Sequence, residues 1–319
     1  MSCTVFEGVS SCFNLWASSS PHPLCPPVPR NKSPPGLEGR TQRYRESLGK
    51  LEKAAVWFNA RKDDLKFVAH LGDIIDGHFT WPEGIPSLDK SRADLELVAK
   101  VFDTIELKKV HVVGNHCLQV KRTELLARLD THASYYAFSP CPGWRVLVLD
   151  TTEVNTGPME VLKPDDERNR QLTMEATLWW DAPENATKPN RQPWNGMISE
   201  QQHDWLRQEL QDAEQRGDRV IAFGHHPVGK GSGREIHMCW NSDEVEKTMI
   251  NSKAFVAYLN GHDHVGGYAD RDGRHFVTVE AVLECPEEQN AFARVDVYPD
   301  RIEIQGQGLL SSRVLPLLS

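Results

Sequence analysis

Four apolar segments of this chain end in the same way, with a glycine followed by Asp, Asn or His. The segments are FVAHLGD (67–73), VHVVGNH (110–116), RVIAFGHHP (219–227) and FVAYLNGHDH (255–264). Short apolar runs of this kind are typical of buried strands. Glycine lets the chain turn sharply at the end of a strand and leaves room for a ligand near the backbone. In open α/β sheets ligands bind outside the carboxyl ends of the strands, so the pattern predicts an α/β fold with one site where these ends meet.

Each segment also supplies a side chain that can bind a metal, namely Asp73, Asn115, His225 and His262. His264 joins them because residues two apart in an extended chain point the same way. Mixed oxygen and nitrogen ligands suit Mn, Fe or Zn better than Ca or Mg. Two such ions about 3.5–4 Å apart can activate water and hold both oxygens of a phosphoryl transfer. The set therefore indicates hydrolysis of a phosphoester or phosphoanhydride.

Two further residues are predicted to assist this site. His116, beside Asn115, is not needed as a ligand and can place a positive charge or a proton near the leaving oxygen, so it is the predicted catalytic residue. Asp76, three residues beyond Asp73, is predicted to support the site by holding a histidine N–H or the loop itself.

Other reactive side chains nearby are predicted to stay outside the chemistry. His226 should point away from its neighbour, and His70 and His111 lie within apolar runs, as core histidines do. Cys117 is not predicted to act as a nucleophile. The seven cysteines of the chain include no CxxC pair, which favours reduced thiols in an intracellular setting.

Composition excludes several other classes of function. The chain has 319 residues and a formal net charge of −9 without a basic stripe, which disfavours nucleic acid as a partner. No run approaches the roughly 18 apolar residues of a membrane helix.

The chain is expected to alternate strands and helices. Residues 1–38 are rich in Ser and Pro and are predicted to be disordered. Amphipathic spacing predicts a helix over 41–60, a second over 87–107 and a third capped by Ser199 and Gly217. Residues 151–198 lack a clear period and are predicted to be a long loop, a candidate substrate lid. Alternation around a YPD turn predicts an antiparallel hairpin over 291–306.

The motifs GDIID (72–76), GNH (114–116), HHP (225–227) and GHDH (261–264) resemble the calcineurin-like metallophosphoesterases. Those motifs, together with GRTQRYRESL (39–48), CWN (239–241) and AFARVDVYPD (291–300), are similar to the manganese-dependent ADP-ribose/CDP-alcohol diphosphatases. The resemblance implies a metallophosphoesterase domain over 39–319, folded as a four-layer α/β/β/α sandwich. It also implies a dinuclear Mn²⁺ site and hydrolysis of ADP-ribose or CDP-choline to a nucleoside monophosphate and a phosphorylated partner.

In this family pattern Asp73 bridges the two metals. Asn115, His225 and His262 complete one metal site, and His264 binds the other metal.

One family feature is not found in the sequence. Members begin with a strand ending in Asp-x-His or Asp-x-Gln, which holds the first metal, whereas the first aspartate of this chain is Asp63. The fold is therefore expected to lack its usual first strand, and the chain to bind about one tight metal with impaired activity. An alternative exon, a mispredicted start and a divergent paralogue each account for this.

Two hypotheses from different classes follow. The chain is an active hydrolase, of the diphosphatase type or a phosphomonoesterase of the same superfamily, or it is an inactive relative that binds nucleotide or one metal. A cytoplasmic location is expected, with plastid import as the alternative if residues 1–38 act as a transit peptide.

Overall fold

The computed structural model describes residues 3–9, 43–80, 85–156 and 166–318, and for 3–9 it describes the backbone alone. The helices are α1 (Tyr44–Asn59), α2 (Leu88–Asp103), α3 (Arg122–Arg128), α4 (Glu167–Asp181), α5 (Glu200–Arg216) and α6 (Ser242–Asn251). The strands are β1 (Cys3–Val9), β2 (Phe67–His70), β3 (Phe79–Thr80), β4 (Ile85–Pro86), β5 (Lys108–His111), β6 (Tyr136–Cys141), β7 (Trp144–Val148), β8 (Arg219–Phe223), β9 (Phe255–Asn260), β10 (Gly267–Asp270), β11 (His275–Thr278), β12 (Ala291–Val297), β13 (Arg301–Gly308) and β14 (Arg313–Pro316).

Twelve of these strands form two six-stranded sheets. The first sheet has the order β14-β13-β12-β1-β2-β5, and the second has the order β10-β11-β9-β8-β7-β6. Strands β1, β2 and β5 are parallel, as are β7, β8, β9 and β11. The four segments with a terminal glycine thus supply two parallel strands to each sheet.

The two faces of β8 show how the layers are built. Ile221 and Phe223 belong to the core that contains side chains of the first sheet and of α1 and α2. Val220 and Ala222 belong to a second core with apolar side chains of α4, α5 and α6. Each sheet is thus packed between the other sheet and helices, which confirms the predicted α/β/β/α architecture.

Strand β1 corrects one part of that prediction. The first strand was expected to be absent, but Cys3–Val9 lies between β2 and β12, parallel to the former and antiparallel to the latter. Residues 1–38 were also expected to be disordered, which is wrong for these seven residues, and residues 10–42 lie outside the described part of the chain. The backbone groups of β2 and β12 need a neighbour for their hydrogen bonds, and CTVFEGV is a short apolar run that can provide one.

Other predicted elements are confirmed. Ser199 caps α5 by accepting a hydrogen bond from the Gln202 N–H, and Gly217 ends the helix with a φ of 71°. The predicted hairpin is formed by β12 and β13.

The prediction of one long loop over 151–198 is wrong, because α4 lies within it. Only Leu172 and Ala176 of this helix are buried, so its apolar period is weak, but Asp166 accepts a hydrogen bond from the Asn169 N–H as an N-cap. Among the described residues, no helix is both long and apolar enough to cross a membrane.

Candidate metal centre

Three side-chain atoms surround Nε2 of His225 at hydrogen-bonding distance. Oδ2 of Asp73 lies 3.1 Å away, Oδ1 of Asn115 3.0 Å and Nδ1 of His262 3.1 Å. Asp73, His225 and His262 also satisfy the mutual distances expected of ligands to one ion. Four of the five residues predicted as metal ligands thus converge at one point.

The backbone at the strand ends makes this convergence possible. Asp73 and His262 adopt left-handed conformations, with φ of 54° and 63°. Both glycines before the ligands of the first sheet are required by space, because a Cβ on Gly72 would lie 2.2 Å from Nδ1 of His225 and one on Gly114 would lie 2.2 Å from Oδ1 of Asp73. The turns after β2 and β5 therefore bring the backbone of one ligand segment into close contact with a side chain of another.

The hydrogen bond at the far side of His225 fixes which nitrogen can bind a metal. Nδ1 of His225 lies 2.9 Å from the carbonyl oxygen of Leu71, which can only accept a hydrogen bond. Nδ1 therefore carries the proton and Nε2 presents its lone pair to the centre.

Asn195 fixes His262 in the same way, and sequence reasoning missed it. Its Nδ2 donates to the carbonyls of Asn190 and Ile236 at 3.0 and 2.8 Å, so its Oδ1 faces His262 as an acceptor at 2.9 Å. Nε2 of His262 donates to this oxygen, which leaves Nδ1 free for a metal. The NG dipeptide at Asn195 was a turn signal in the sequence, but nothing in it indicated the contact with His262.

The charge at the centre is carried by Asp73. Burial alone would raise the pKa of this carboxyl, but His225 and His116 nearby hold it well below its usual range. The fully buried carboxylate is thus ionised, as a metal ligand must be.

His116 and Asp76 lie beside this carboxylate. The His116 N–H donates to Oδ1 of Asp73 at 2.8 Å, and its Nδ1 lies 2.9 Å from Oδ1 of Asp76. Burial would lower the pKa of His116, but the charge of Asp73 and the hydrogen bond to Asp76 raise it to about 10. The structure therefore places a cationic imidazole next to the ligand cluster, with Asp76 as its partner.

Residues 41–266 match the family model described as calcineurin-like phosphoesterase. The chain belongs to the calcineurin-like phosphoesterase family.

Several relatives of this phosphoesterase carry a more specific name. The Oryza sativa and Arabidopsis thaliana proteins called manganese-dependent ADP-ribose/CDP-alcohol diphosphatase are 34% and 32% identical to it. The matches cover 82% and 84% of this chain and 83% and 87% of those proteins. A crystal structure of a dimetal phosphatase from Danio rerio superposes with a TM-score of 0.79 at 25% identity, over 98% of each chain. The predicted fold and family are confirmed.

The fifth predicted ligand of this phosphoesterase, His264, is held apart from the cluster. Its Nδ1 lies 3.0 Å from Oε1 of Glu284, a buried carboxylate whose Oε2 has no hydrogen-bond partner. Asp263, between the two histidines, forms an ion pair with Arg234. Glu284 was not singled out from the sequence, because an acid beyond the next strand carries no motif.

The remaining side chains lie where the sequence reasoning placed them. His226 is turned towards Oγ1 of Thr151, and the rings of His70 and His111 are buried 6.1 Å apart. Burial raises the pKa of the Cys117 thiol to about 12, with a further contribution from Asp73, so this thiol stays protonated and is a poor nucleophile.

The donor set of this phosphoesterase fits one divalent transition metal. It offers a carboxylate, an amide oxygen and two imidazole nitrogens, with both imidazoles already in the tautomer that a metal requires. His264 could contribute to a second metal site only if further ligands were supplied by other residues. After β1 the sequence continues Ser10, Ser11 and Cys12, where the family pattern has Asp-x-His or Asp-x-Gln.

Proposed function

We propose that this chain hydrolyses the diphosphate bond of nucleoside-diphosphate-linked compounds such as ADP-ribose and CDP-choline, with Mn²⁺ as its cofactor. The products are a nucleoside monophosphate and a phosphorylated partner. The observation that carries the proposal is the convergence of Asp73, Asn115 and His262 on Nε2 of His225, in a chain whose relatives are named for this reaction.

Each residue of the site has its own role in the proposed reaction. Asp73, Asn115, His225 and His262 would hold one metal, and Asp73 and His264 would be ligands of the other. When bound, the metals supply Lewis acidity to the attacking water and to the phosphoryl oxygens. His116, paired with Asp76, would place a positive charge or a proton near the leaving oxygen and so stabilise the negative charge that develops there.

The unequal ligand supply implies reduced activity. The second metal has only Asp73 and His264 among the residues that match the family pattern, whereas that pattern has four protein ligands. Since even residues outside the ligand set are worth about 10–100-fold in metal affinity or activity, the loss of two ligands should weaken this metal steeply. We expect about one tightly bound metal per chain and slow hydrolysis that recovers in part at millimolar Mn²⁺.

The test combines metal analysis with three substrates, ADP-ribose, CDP-choline and an aryl phosphate monoester, in the purified chain. Faster turnover of the two diphosphates than of the monoester supports the proposal. Preference for the monoester identifies a phosphomonoesterase instead, and one bound metal without turnover identifies an inactive relative. Two tight metals with an ordinary rate of about 1–10³ per second would contradict the expected impairment.

A cytoplasmic location is part of the proposal, since small nucleotides are abundant there and the chain is acidic. A fluorescent fusion of residues 1–38 that enters an organelle would overturn it.

A further inference from the structure

Trp194 exposes a large apolar ring beside the metal centre. It is 40% exposed, although most large apolar side chains of the described residues are buried. The sequence places it directly before Asn195, whose Oδ1 holds the ligand His262. An exposed indole next to ligand-orienting residues suits a binding surface better than a packing role.

Trp194 lines a narrow cleft next to the ligand cluster. Asn115 and His226 line the same cleft, so one wall is shared with the ligand cluster, and Thr152 and Asn155 contribute polar groups. The cleft is too narrow to hold a heterocycle, so the next moiety of a compound with a phosphoryl group at the cluster would lie against the exposed face of Trp194. The pairing of one flat apolar surface with a few polar groups suits a planar heterocycle.

The segment that carries the indole is held in place. The Trp194 carbonyl lies 3.5 Å from Nε2 of His226, and the Asn195 side chain bonds two backbone carbonyls on either side of it in the sequence. These contacts fix the backbone at Trp194, so little main-chain conformational entropy is lost when a ligand binds.

We propose that Trp194 is the stacking surface for the nucleobase of the substrate. This inference deepens the proposed function and rests on it for the identity of the ligand. Stacking on an aromatic ring accepts every base because each base has a π-face, so one indole can serve both adenine and cytosine compounds.

The test measures binding of AMP and of ribose 5-phosphate by calorimetry, to the full chain with Mn²⁺ present, for the native protein, Trp194→Ala and Trp194→Phe. We expect Trp194→Ala to weaken AMP binding by about 5- to 150-fold, the range of stacking on one side chain, and to leave ribose 5-phosphate unchanged. Trp194→Phe keeps an aromatic face and should stay within about threefold of the native protein. Trp205→Ala is the matched control, because this indole packs against Tyr135 and does not line the cleft.

The two proposals can fail separately in this experiment. Equal loss of AMP and ribose 5-phosphate binding, or no loss of either, overturns the stacking role even if the native chain hydrolyses ADP-ribose. A selective loss of AMP binding supports the stacking role even if the chain turns over no diphosphate, in which case only the proposed hydrolysis fails. A native chain that binds AMP no better than ribose 5-phosphate also overturns the stacking role.

Discussion

On one side of Asp73, Oδ1 of Asn115 and Nδ1 of His262 lie 3.0 and 3.1 Å from Nε2 of His225, and the hydrogen bonds of the two histidines to Leu71 and Asn195 fix their tautomers. On the other side, His264 contacts Glu284, and the strand that should bring a ligand pair is followed by Ser10, Ser11 and Cys12. We call these the complete half and the depleted half of the centre.

The contrast shows that the fold and the metal chemistry of this family have separate requirements. The first sheet needs a strand between β2 and β12, and any segment that pairs through its backbone can supply one, as Cys3–Val9 does. A metal site needs specific donor atoms at specific positions. If the proposed ligand assignment is correct, this chain retains the architecture while one half of the centre has fewer ligands.

Removal of a ligand from the complete half should have the largest effect. We expect His225→Ala to lose the tightly bound metal and to reduce hydrolysis of ADP-ribose beyond the about 100-fold typical of residues outside the ligand set. Metal content by atomic emission and the rate at fixed Mn²⁺ check this. The exposed His132 offers the control His132→Ala. Full metal content and rate in His225→Ala would show that the ligand assignment is wrong.

Addition of ligands to the depleted half is the converse experiment. The double substitution Ser10→Asp with Cys12→His writes the family's Asp-x-His directly after β1. We expect the tight metal content to rise from one to two and the rate at micromolar Mn²⁺ to rise by about 100-fold, because a second activating ion becomes bound. Ser10→Ala with Cys12→Ala is the control that adds no donor atom. If the rate does not change, the missing pair is not what limits this chain.

Substitutions of residues that hydrogen-bond the ligand histidines should distinguish the two halves by the Mn²⁺ concentration at which the rate falls. Asn195→Ala removes the acceptor that orients His262 and should weaken the tight metal by about 10–100-fold. Asn185→Ala is the matched control, since Asn185 is equally buried and bonds the Trp179 carbonyl.

Glu284→Gln should instead have little effect at micromolar Mn²⁺ and reduce the rate by about 10-fold at millimolar Mn²⁺, where the depleted half fills. Equal effects of Asn195→Ala and Glu284→Gln at both concentrations would contradict the division into halves.

Acid should lower the free energy of unfolding through a buried histidine of the core, and this is the smallest of the expected effects. Burial lowers the pKa of His111 in β5 from 6.5 to about 3, so the folded state keeps it neutral while the unfolded state takes up a proton. Its contribution is present above pH 6.5 and is lost as the pH falls towards 3, at no more than about 1.4 kcal/mol per pH unit. We expect the free energy of unfolding, measured with urea on the metal-free protein, to fall by about 1.6 kcal/mol less for His111→Phe than for the native chain between pH 6.5 and 5. Parallel losses would exclude this role.

The sequence was informative where local pattern and chemistry coincide. A strand, a glycine and a ligand stand together at Asp73, Asn115, His225 and His262, so both the sheet edge and the donor cluster could be predicted. Helix α5 carries its caps within its own sequence, and it was predicted to the residue.

Features that depend on distant partners were missed. Asn195 and Glu284 are recognised only through the histidines they contact, 67 and 20 residues away. Strand β1 was missed because it lacks the aspartate that normally ends it. The pairing that defines this strand involves β12, near the other end of the chain. Helix α4 buries too narrow a stripe to produce a periodic signal.

The position of the donor cluster has a mechanical consequence. Asp73 and Asn115 follow strands of the first sheet, and His225 and His262 follow strands of the second. A single ion bound by these side chains would therefore cross-link the two sheets at the carboxyl ends of their strands. Any sliding of one sheet over the other would break coordination bonds. The ion would therefore fasten the sandwich as well as serve the reaction, and at 100 times its dissociation constant it would add about 2.7 kcal/mol to the free energy of unfolding.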